Sequence, residues 1–485
     1  MFIVHVASEF APIAKVGGLA DVLLGLCREL TWKGHDVEII LPFYDCMDRS
    51  KIEDLTQEEQ TFTTHWDNQK CTNRVWHGKV EGLTVTFIDP QTQDKFFERG
   101  QYYGYPDDPY RFAYFSRSVL EYLQQRNKHP DVLHIHDWQQ GLIPVLNKKV
   151  FAESGLKIGR ILMTIHNIDY QGWCEEGVFN KAGAPIQPEF LQNDSYNMLK
   201  AGIIYCNILT TVSPNYSYEV QTPEGGKGLD ELLRQYRSKF YGILNGIDYS
   251  YWNPSIDRYL PENYCLEGQN IEDIRLTKTR IKNMLQKRMG LTVGNHPLVG
   301  AVTRLVPQKG IEQIKQALFR TVEKGGQFLL LGSSPLPEIQ IEFEQLQIRF
   351  KDNPNVHIEL SYNEDLSHLF FAAGDILVVP SLFEPCGLTQ LIALKYGTIP
   401  IVRKTGGLAD TINDVDFSRK EIEERNGYVF ENPDENGIYS ALDRAMHCYY
   451  DDFQKWQDLV DRALKLNFSW TNPANLYLEL YSKEI

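Results

Sequence analysis

Four stretches of this 485-residue chain place charged residues or paired glycines just after apolar runs, and in α/β proteins ligands bind beyond the ends of such runs. The first, Lys15-Val16-Gly17-Gly18-Leu19-Ala20-Asp21, follows Phe2–Ala7 and opens an amphipathic run. A helix N-terminus carries unpaired N–H groups and partial positive charge, and glycine lets an anion approach the backbone. That predicts a cradle for a phosphate or a sugar, with a glycine-rich turn beside a surface lysine as the plainer alternative. The spacing is neither Gly-x-Gly-x-x-Gly nor a Walker loop, so no dinucleotide or P-loop site follows. The second stretch, Thr303-Arg304-Leu305-Val306-Pro307-Gln308-Lys309-Gly310, holds Arg304, a rigid fork suited to phosphate oxygens, and Lys309, a flexible point charge. Together they could hold a diphosphate without a metal, or be two solvated cations on a loop. In the third, Pro380-Ser381-Leu382-Phe383-Glu384-Pro385-Cys386-Gly387-Leu388-Thr389, Glu384 can accept hydrogen bonds from sugar hydroxyls while the amides of Gly387–Thr389 start the next helix. The fourth, Thr405-Gly406-Gly407-Leu408-Ala409-Asp410, repeats Gly17–Asp21 and suggests a second glycine-rich helix start facing the first.

Two histidine stretches, His134-Ile135-His136-Asp137-Trp138 and His166-Asn167, also end apolar runs. His134 and His136 share one face of a strand, yet no cysteine or glutamate cluster accompanies them, so no metal is expected. His166 alone reads equally as a hydrogen-bonded scaffold residue. Glu224-Gly225-Gly226-Lys227-Gly228-Leu229 reads as a mobile loop that could close over an acceptor, or as a linker.

The elements that must position these residues form two series. In the first, candidate strands Phe2–Ala7, Val37–Leu41, Leu83–Ile88, Val132–Ile135, Ile161–Ile165 and Ile208–Val212 alternate with helical stretches, beginning with a helix on Leu19, Val22, Leu23, Leu26 and Leu30. The second has Leu298–Val302, Phe328–Leu331, Val356–Leu360, Ile376–Val379 and Ile399–Val402. The fold class is therefore α/β, with two Rossmann-like lobes spanning 1–248 and 249–465 and the site expected in the cleft between them. Residues 466–485 are expected to form a helix crossing back to the first lobe.

Composition bounds the function. With 49 Lys+Arg against 64 Asp+Glu the net charge is −15, which excludes a basic nucleic-acid coat. No apolar run approaches the ~20 residues that span a bilayer, so no membrane association is expected. The start reads as a buried strand rather than a signal peptide, and eight cysteines without a CxxC pair suit a reducing, cytoplasmic compartment.

Taken in order, Lys15-Val16-Gly17-Gly18-Leu19, His136-Asp137-Trp138, His166-Asn167 with Tyr170-Gln171-Gly172, Asn245-Gly246-Ile247-Asp248, Arg304 with Lys309, Glu384–Thr389 and Thr405–Leu408 resemble the bacterial glycogen synthase and plant starch synthase family. Val16 stands where many members have threonine, and Gly34–Pro42 with Tyr44-Asp45-Cys46 resembles the starch synthase III/IV branch. Plant members carry N-terminal extensions and transit peptides, so the resemblance suggests a cyanobacterial-type enzyme or an isolated plastid catalytic region. It implies a two-lobed GT-B fold and retaining transfer of glucose from ADP-glucose to the non-reducing end of an α-1,4-glucan or maltooligosaccharide, with no cofactor and no essential metal. By the same resemblance Lys15, Arg304 and Lys309 neutralise the diphosphate, and Gly18 and Asp21 contact the donor. Asp137, His166 and Asn167 line the glucose pocket with His166 at the anomeric centre, and Asn245 belongs to the site. Glu384 holds glucose hydroxyls; Cys386, Gly387, Leu388, Thr389, Thr405, Gly406 and Gly407 contact the nucleotide sugar; Tyr362 stacks on adenine. Related families carry a second glutamate eight residues beyond the first, but that position is Ile392, so a front-face mechanism is expected rather than a covalent intermediate. The rival readings are another GT-B enzyme, using UDP-glucose or pyridoxal phosphate as in α-glucan phosphorylase, and a catalytically silent glucan-binding protein.

Overall fold

A computed structural model describes residues 1–361 and 363–483. The chain divides into two compact units, Met1–Gly246 with Trp470–Ile485, and Ile247–Ser469. These limits differ from 248/249 and 465/466 for a local reason. The Ile247 N–H donates to the Phe468 carbonyl at 2.8 Å, and the Tyr249 hydroxyl accepts from the Phe468 N–H at 2.8 Å, so both segments join the second unit.

The first unit contains strands β1 (Phe2–Val6), β2 (Asp36–Pro42), β3 (Glu53–Gln57), β4 (Phe62–Trp66), β5 (Gln69–Val80), β6 (Leu83–Pro90), β7 (Val132–His136), β8 (Arg160–Ile165), β9 (Trp173–Cys174), β10 (Leu191–Gln192), β11 (Ser195–Asn197), β12 (Ile208–Thr211) and β13 (Phe240–Gly242). Its large sheet runs β13-β12-β8-β7-β1-β2-β6-β5-β3, with β4 also on β5; β9 to β11 form a small antiparallel sheet. The parallel strands are apolar runs because helices cover both faces. The antiparallel extension β3–β5 was not legible as such, since β3 has no buried residue, β4 and β5 intersperse buried with more exposed positions, and all three carry many polar side chains. Helix Gly18–Trp32 covers one face, and helix Thr471–Ser482 packs on it. Gly25 permits that contact, because a Cβ there would lie 2.0 Å from Trp470 Nε1.

The second unit is a parallel sheet of β14 (Leu298–Val302), β15 (Gln327–Leu331), β16 (Val356–Glu359), β17 (Ile376–Val379), β18 (Ile399–Arg403) and β19 (Tyr428–Phe430), in the order β16-β15-β14-β17-β18-β19. Counted along the chain this is 3-2-1-4-5-6, the doubly wound Rossmann order, and the first unit's parallel strands follow the same sequence from β6 to β12. The order reverses between β1 and β7 in one unit and between β14 and β17 in the other. Loops leaving those strands diverge there, which opens a crevice at their carboxyl ends.

Candidate active site

In the first unit the crevice begins with Glu9, just past β1 and buried. Its Oε2 accepts the N–H groups of Val16 and Gly17, each at 2.8 Å, and the Tyr103 hydroxyl donates to Oε1 at 3.0 Å. Glu9 therefore fixes the glycine loop from behind. A Cβ at Gly17 would meet nothing within 4 Å, so the loop faces open space where helix Gly18–Trp32 starts. Gly18 is exposed there, and Lys15 Nζ donates to Asp21 Oδ1 at 2.8 Å. The cation is thus already matched to a carboxylate of the first helical turn.

Across the switch point, Asp137 ends β7 with φ of 59°, a conformation that costs a non-glycine residue about 1–3 kcal/mol. Its Oδ1 accepts the N–H of His166 at 2.7 Å and that of Asn167 at 3.4 Å, which ties β7 to the loop after β8. Burial pushes the Asp137 carboxyl up to about 7; the two N–H groups pull it down and the Glu9 charge adds to the rise. His166 Nε2 lies 3.0 Å from His136 Nδ1, and burial lowers the His166 imidazole to about 3, so it is neutral at working pH. Gly172, at φ of 66°, lies against Trp138, whose Cε3 would be 2.3 Å from an added Cβ; this accounts for the glycine of Tyr170-Gln171-Gly172. Asn245 is buried with no partner for its Oδ1 among the described residues, and none of these contacts joins it to the others.

The segment Glu224–Leu229 is a packed turn rather than an open flap. A Cβ at Gly225 would lie 2.2 Å from the Glu219 carbonyl, and Gln171 Nε2 donates to the Lys227 carbonyl at 3.1 Å.

In the second unit, the loops after β14 and β17 are laced together. Gln308 accepts the Leu382 N–H on its carbonyl at 2.8 Å and donates through Nε2 to the Phe383 carbonyl at 3.1 Å. Gly310, at φ of 73°, would put a Cβ 2.3 Å from the Pro380 carbonyl. This lacing sets Lys309 Nζ 2.5 Å from Glu384 Oε2, which also accepts from the Ser381 hydroxyl at 2.8 Å. The pair is largely shielded, with side-chain exposures of 20% and 9%. Arg304 on the same loop is exposed and has no ion pair among the described residues.

Glu384 itself rests on the loop after β18. The Gly407 N–H donates to the carbonyls of Glu384 at 3.0 Å and Pro385 at 3.2 Å. A Cβ at Gly406 would lie 2.0 Å from the Glu384 carbonyl, and one at Gly407 would lie 2.2 Å from that of Cys386. The expected glycine-rich helix start here is only Gly406–Thr411, with Thr405 buried at its cap and both glycines committed to packing. The next helix, Thr389–Tyr396, begins after Leu388 with its first amides unpaired inside the helix. Buried Gln390 holds the turn before it, donating to the carbonyls of Cys386 at 3.1 Å and Gly387 at 3.0 Å. Tyr362 lies outside the described residues.

The structure thus brings Lys15, Gly18, Asp21, Asp137, His166 and Asn167 together in one unit, and Arg304, Lys309, Glu384, Cys386–Thr389 and Thr405–Gly407 in the other. Sequence reasoning missed Glu9, Ser381 and Gln390. The after-strand rule points to Ser8-Glu9 as well, since they follow β1 closely, just ahead of the glycines. All eight cysteines are unpaired. No helix of the described residues is long and apolar enough to cross a membrane.

Residues 2–235 match a family model described as the starch synthase catalytic domain, and residues 286–463 match one described as glycosyl transferases group 1. A glycogen synthase of Protochlamydia amoebophila is 50% identical over 493 residues, covering 99% of each chain. A probable starch synthase 4 of Arabidopsis thaliana is 46% identical over 100% of this chain and 47% of its own length. Among solved structures, the catalytic domain of starch synthase IV from Arabidopsis thaliana, bound to ADP and acarbose, superposes with a TM-score of 0.94 at 46% identity, covering 99% of this chain and 98% of that one.

Proposed function

The chain belongs to the starch and glycogen synthase family, glucosyltransferases that extend α-1,4-glucan from ADP-glucose, and on that premise we propose how its residues divide the work. The observation that carries the division is the Lys309–Glu384 pair, held at 2.5 Å by two laced loops with Arg304 beside it. One carboxylate and two cations suit a sugar linked to a diphosphate.

Arg304 and Lys309 bind the diphosphate of ADP-glucose, joined by the unpaired amides at the start of helix Thr389–Tyr396. Negative charge grows on the leaving phosphate as the C1–O bond breaks, and preorganised cations stabilise that change most. These side chains are assigned the neutralisation that a metal would otherwise supply. Glu384 accepts hydrogen bonds from glucose hydroxyls, while Ser381 and the packed Gly406-Gly407 fix its place. Gly406 and Gly407 therefore support the Glu384 loop, with Thr405 at the N-cap of the short helix that they open.

In the first unit Glu9 shapes the open Gly17-Gly18 loop, and Asp137, His166 and Asn167 line the glucose pocket, with Asn245 adding an unpartnered amide oxygen. His166 is a neutral imidazole and thus a hydrogen-bonding group, not an acid. Glu384 is tied to Lys309, and the position eight residues beyond it is the apolar, buried Ile392, which supports a front-face mechanism over double displacement through a second glutamate there. The glucan 4-hydroxyl attacks C1 from the side the diphosphate leaves, and its proton passes to the departing phosphate oxygen. Free cysteines suit a cytoplasmic setting. The test is turnover of ADP-glucose and UDP-glucose against glycogen and maltotriose, with and without a chelator. The expected result is ADP release with glycogen that the chelator leaves unchanged. Activity only with UDP-glucose, or abolished by the chelator, would overturn the assignment.

A further inference from the structure

A row of buried polar side chains crosses the middle of the first unit's sheet. β1 and β7 pair His5 with His134, and β7 and β8 pair His136 with Thr164, so in these parallel ladders the side chains share one face. All of them are buried, beneath the C-terminal helix that brings Tyr481. Burying such groups is costly unless each is hydrogen-bonded, and every one of these side chains makes at least one hydrogen bond.

Two separate branches exist. His134 is consumed by structural bonds, Nδ1 to the Tyr481 hydroxyl and Nε2 to the Thr164 hydroxyl, each at 2.7 Å. The other branch leads to the site: His5 Nδ1 is 3.1 Å from His136 Nε2, and His136 Nδ1 is 3.0 Å from His166 Nε2. The nitrogens of His5, His134 and His136 lie within 4.8 Å of one another, and all of their ring nitrogens except His5 Nε2 are engaged with another imidazole or with a hydroxyl, the pattern of a hydrogen-bond chain.

Each neutral imidazole has one N–H, so a chain of three must run in a single direction. If protons point inward, His166 donates to His136, His136 donates to His5, and His5 is left with an N–H at Nε2. That atom is fully buried and has no partner among the described residues. If they point outward, His5 Nδ1–H donates to His136, His136 Nδ1–H donates to His166, and the orphan at His5 is only a lone pair. Buried unpaired N–H groups are rarer than buried unpaired acceptors, so the outward direction wins. We infer that His5 and His136 are positioning residues whose one-way chain fixes His166 as the Nδ1–H tautomer, presenting a hydrogen-bond donor to the bound sugar. The sugar contact rests on the function proposed above; the tautomer does not. Burial lowers the His5 imidazole to about 3, as it does His166, which keeps both rings neutral along the chain.

Nitrogen-15 NMR of histidine-labelled protein reads the tautomer directly, without any substrate. The expected spectrum shows His166 and His136 protonated at Nδ1 and bare at Nε2. In His5→Leu the chain loses its anchor, so His166 is expected as a mixture of tautomers, with kcat lower by about tenfold and KM for ADP-glucose little changed. His5→Asn, whose amide can donate from the position of Nδ1, should restore the single tautomer and most of kcat. A wild-type His166 protonated at Nε2 overturns the inference, as does a His5→Leu protein that keeps one Nδ1–H tautomer. Should His5→Leu fail to fold, the wild-type spectrum and His5→Asn still decide it. Absence of ADP-glucose turnover together with the expected spectrum would sink the functional reading and leave the tautomer standing.

Discussion

The chain spells Gly-Gly-Leu-Ala-Asp twice, at 17–21 and 406–410, and the two copies do different physical work. Around Gly17 there is empty space, Glu9 grips the loop from behind, and a 15-residue helix follows. Around Gly406 and Gly407 there is backbone, 2.0 and 2.2 Å from where a side chain would begin, and the helix lasts six residues. The first copy uses glycine so that something outside the protein can come close. The second uses it so that the chain's own Glu384 loop can. Identical letters at the same point of a βα unit therefore do not imply identical roles; what lies within 4 Å decides.

The largest effect that would break this contrast is expected at Gly407→Ala. Its Cβ must displace the Cys386 carbonyl, costing about 3 kcal/mol of stability and moving Glu384 enough to lower kcat at least about 100-fold. Unfolding in urea and ADP-release kinetics check both, and a stable, active variant would remove the packing role. Next comes pH. Because burial raises the Asp137 carboxyl to about 7, the folded protein prefers it protonated; that stability is fully present below about pH 4 and is lost as pH rises through 7. The slope is at most about 1.4 kcal/mol per pH unit, and Asp137→Asn should remove it from urea midpoints taken between pH 5 and 8. Smallest is Gly17→Ala. Its φ of −139° suits alanine, so the melting temperature should stay within about 2 °C while kcat/KM for ADP-glucose falls about tenfold as the Cβ enters the open space. Equal losses of stability at 17 and 407 would abolish the distinction.

Much of this architecture was legible because fully buried parallel strands read as apolar runs, and because the loops after β1, β14 and β17 carry Lys15, Lys309 and Glu384 where the doubly wound rule puts ligands. What stayed hidden depended on contacts distant in sequence. Glu9 matters through amides seven and eight residues on, Ser381 through a bond to Glu384, and His5 only because β1 lies in register beside β7, more than 120 residues away. The polar strands β3 to β5 carried no continuous apolar signal. The glycines of Glu224–Leu229, which suggested a mobile loop or a linker, lie against backbone: a Cβ at Gly225 or Gly226 would be 2.2 or 2.5 Å from the carbonyls of Glu219 and Val220.

The most direct measurement is the turnover number of Lys309→Ala and Glu384→Gln with ADP-glucose and glycogen, alongside their urea unfolding curves. The account predicts that each loses at least about 100-fold in kcat while the unfolding transition stays cooperative, because the laced loops and not this pair hold the second unit together. Turnover near that of the wild type in both proteins would contradict it.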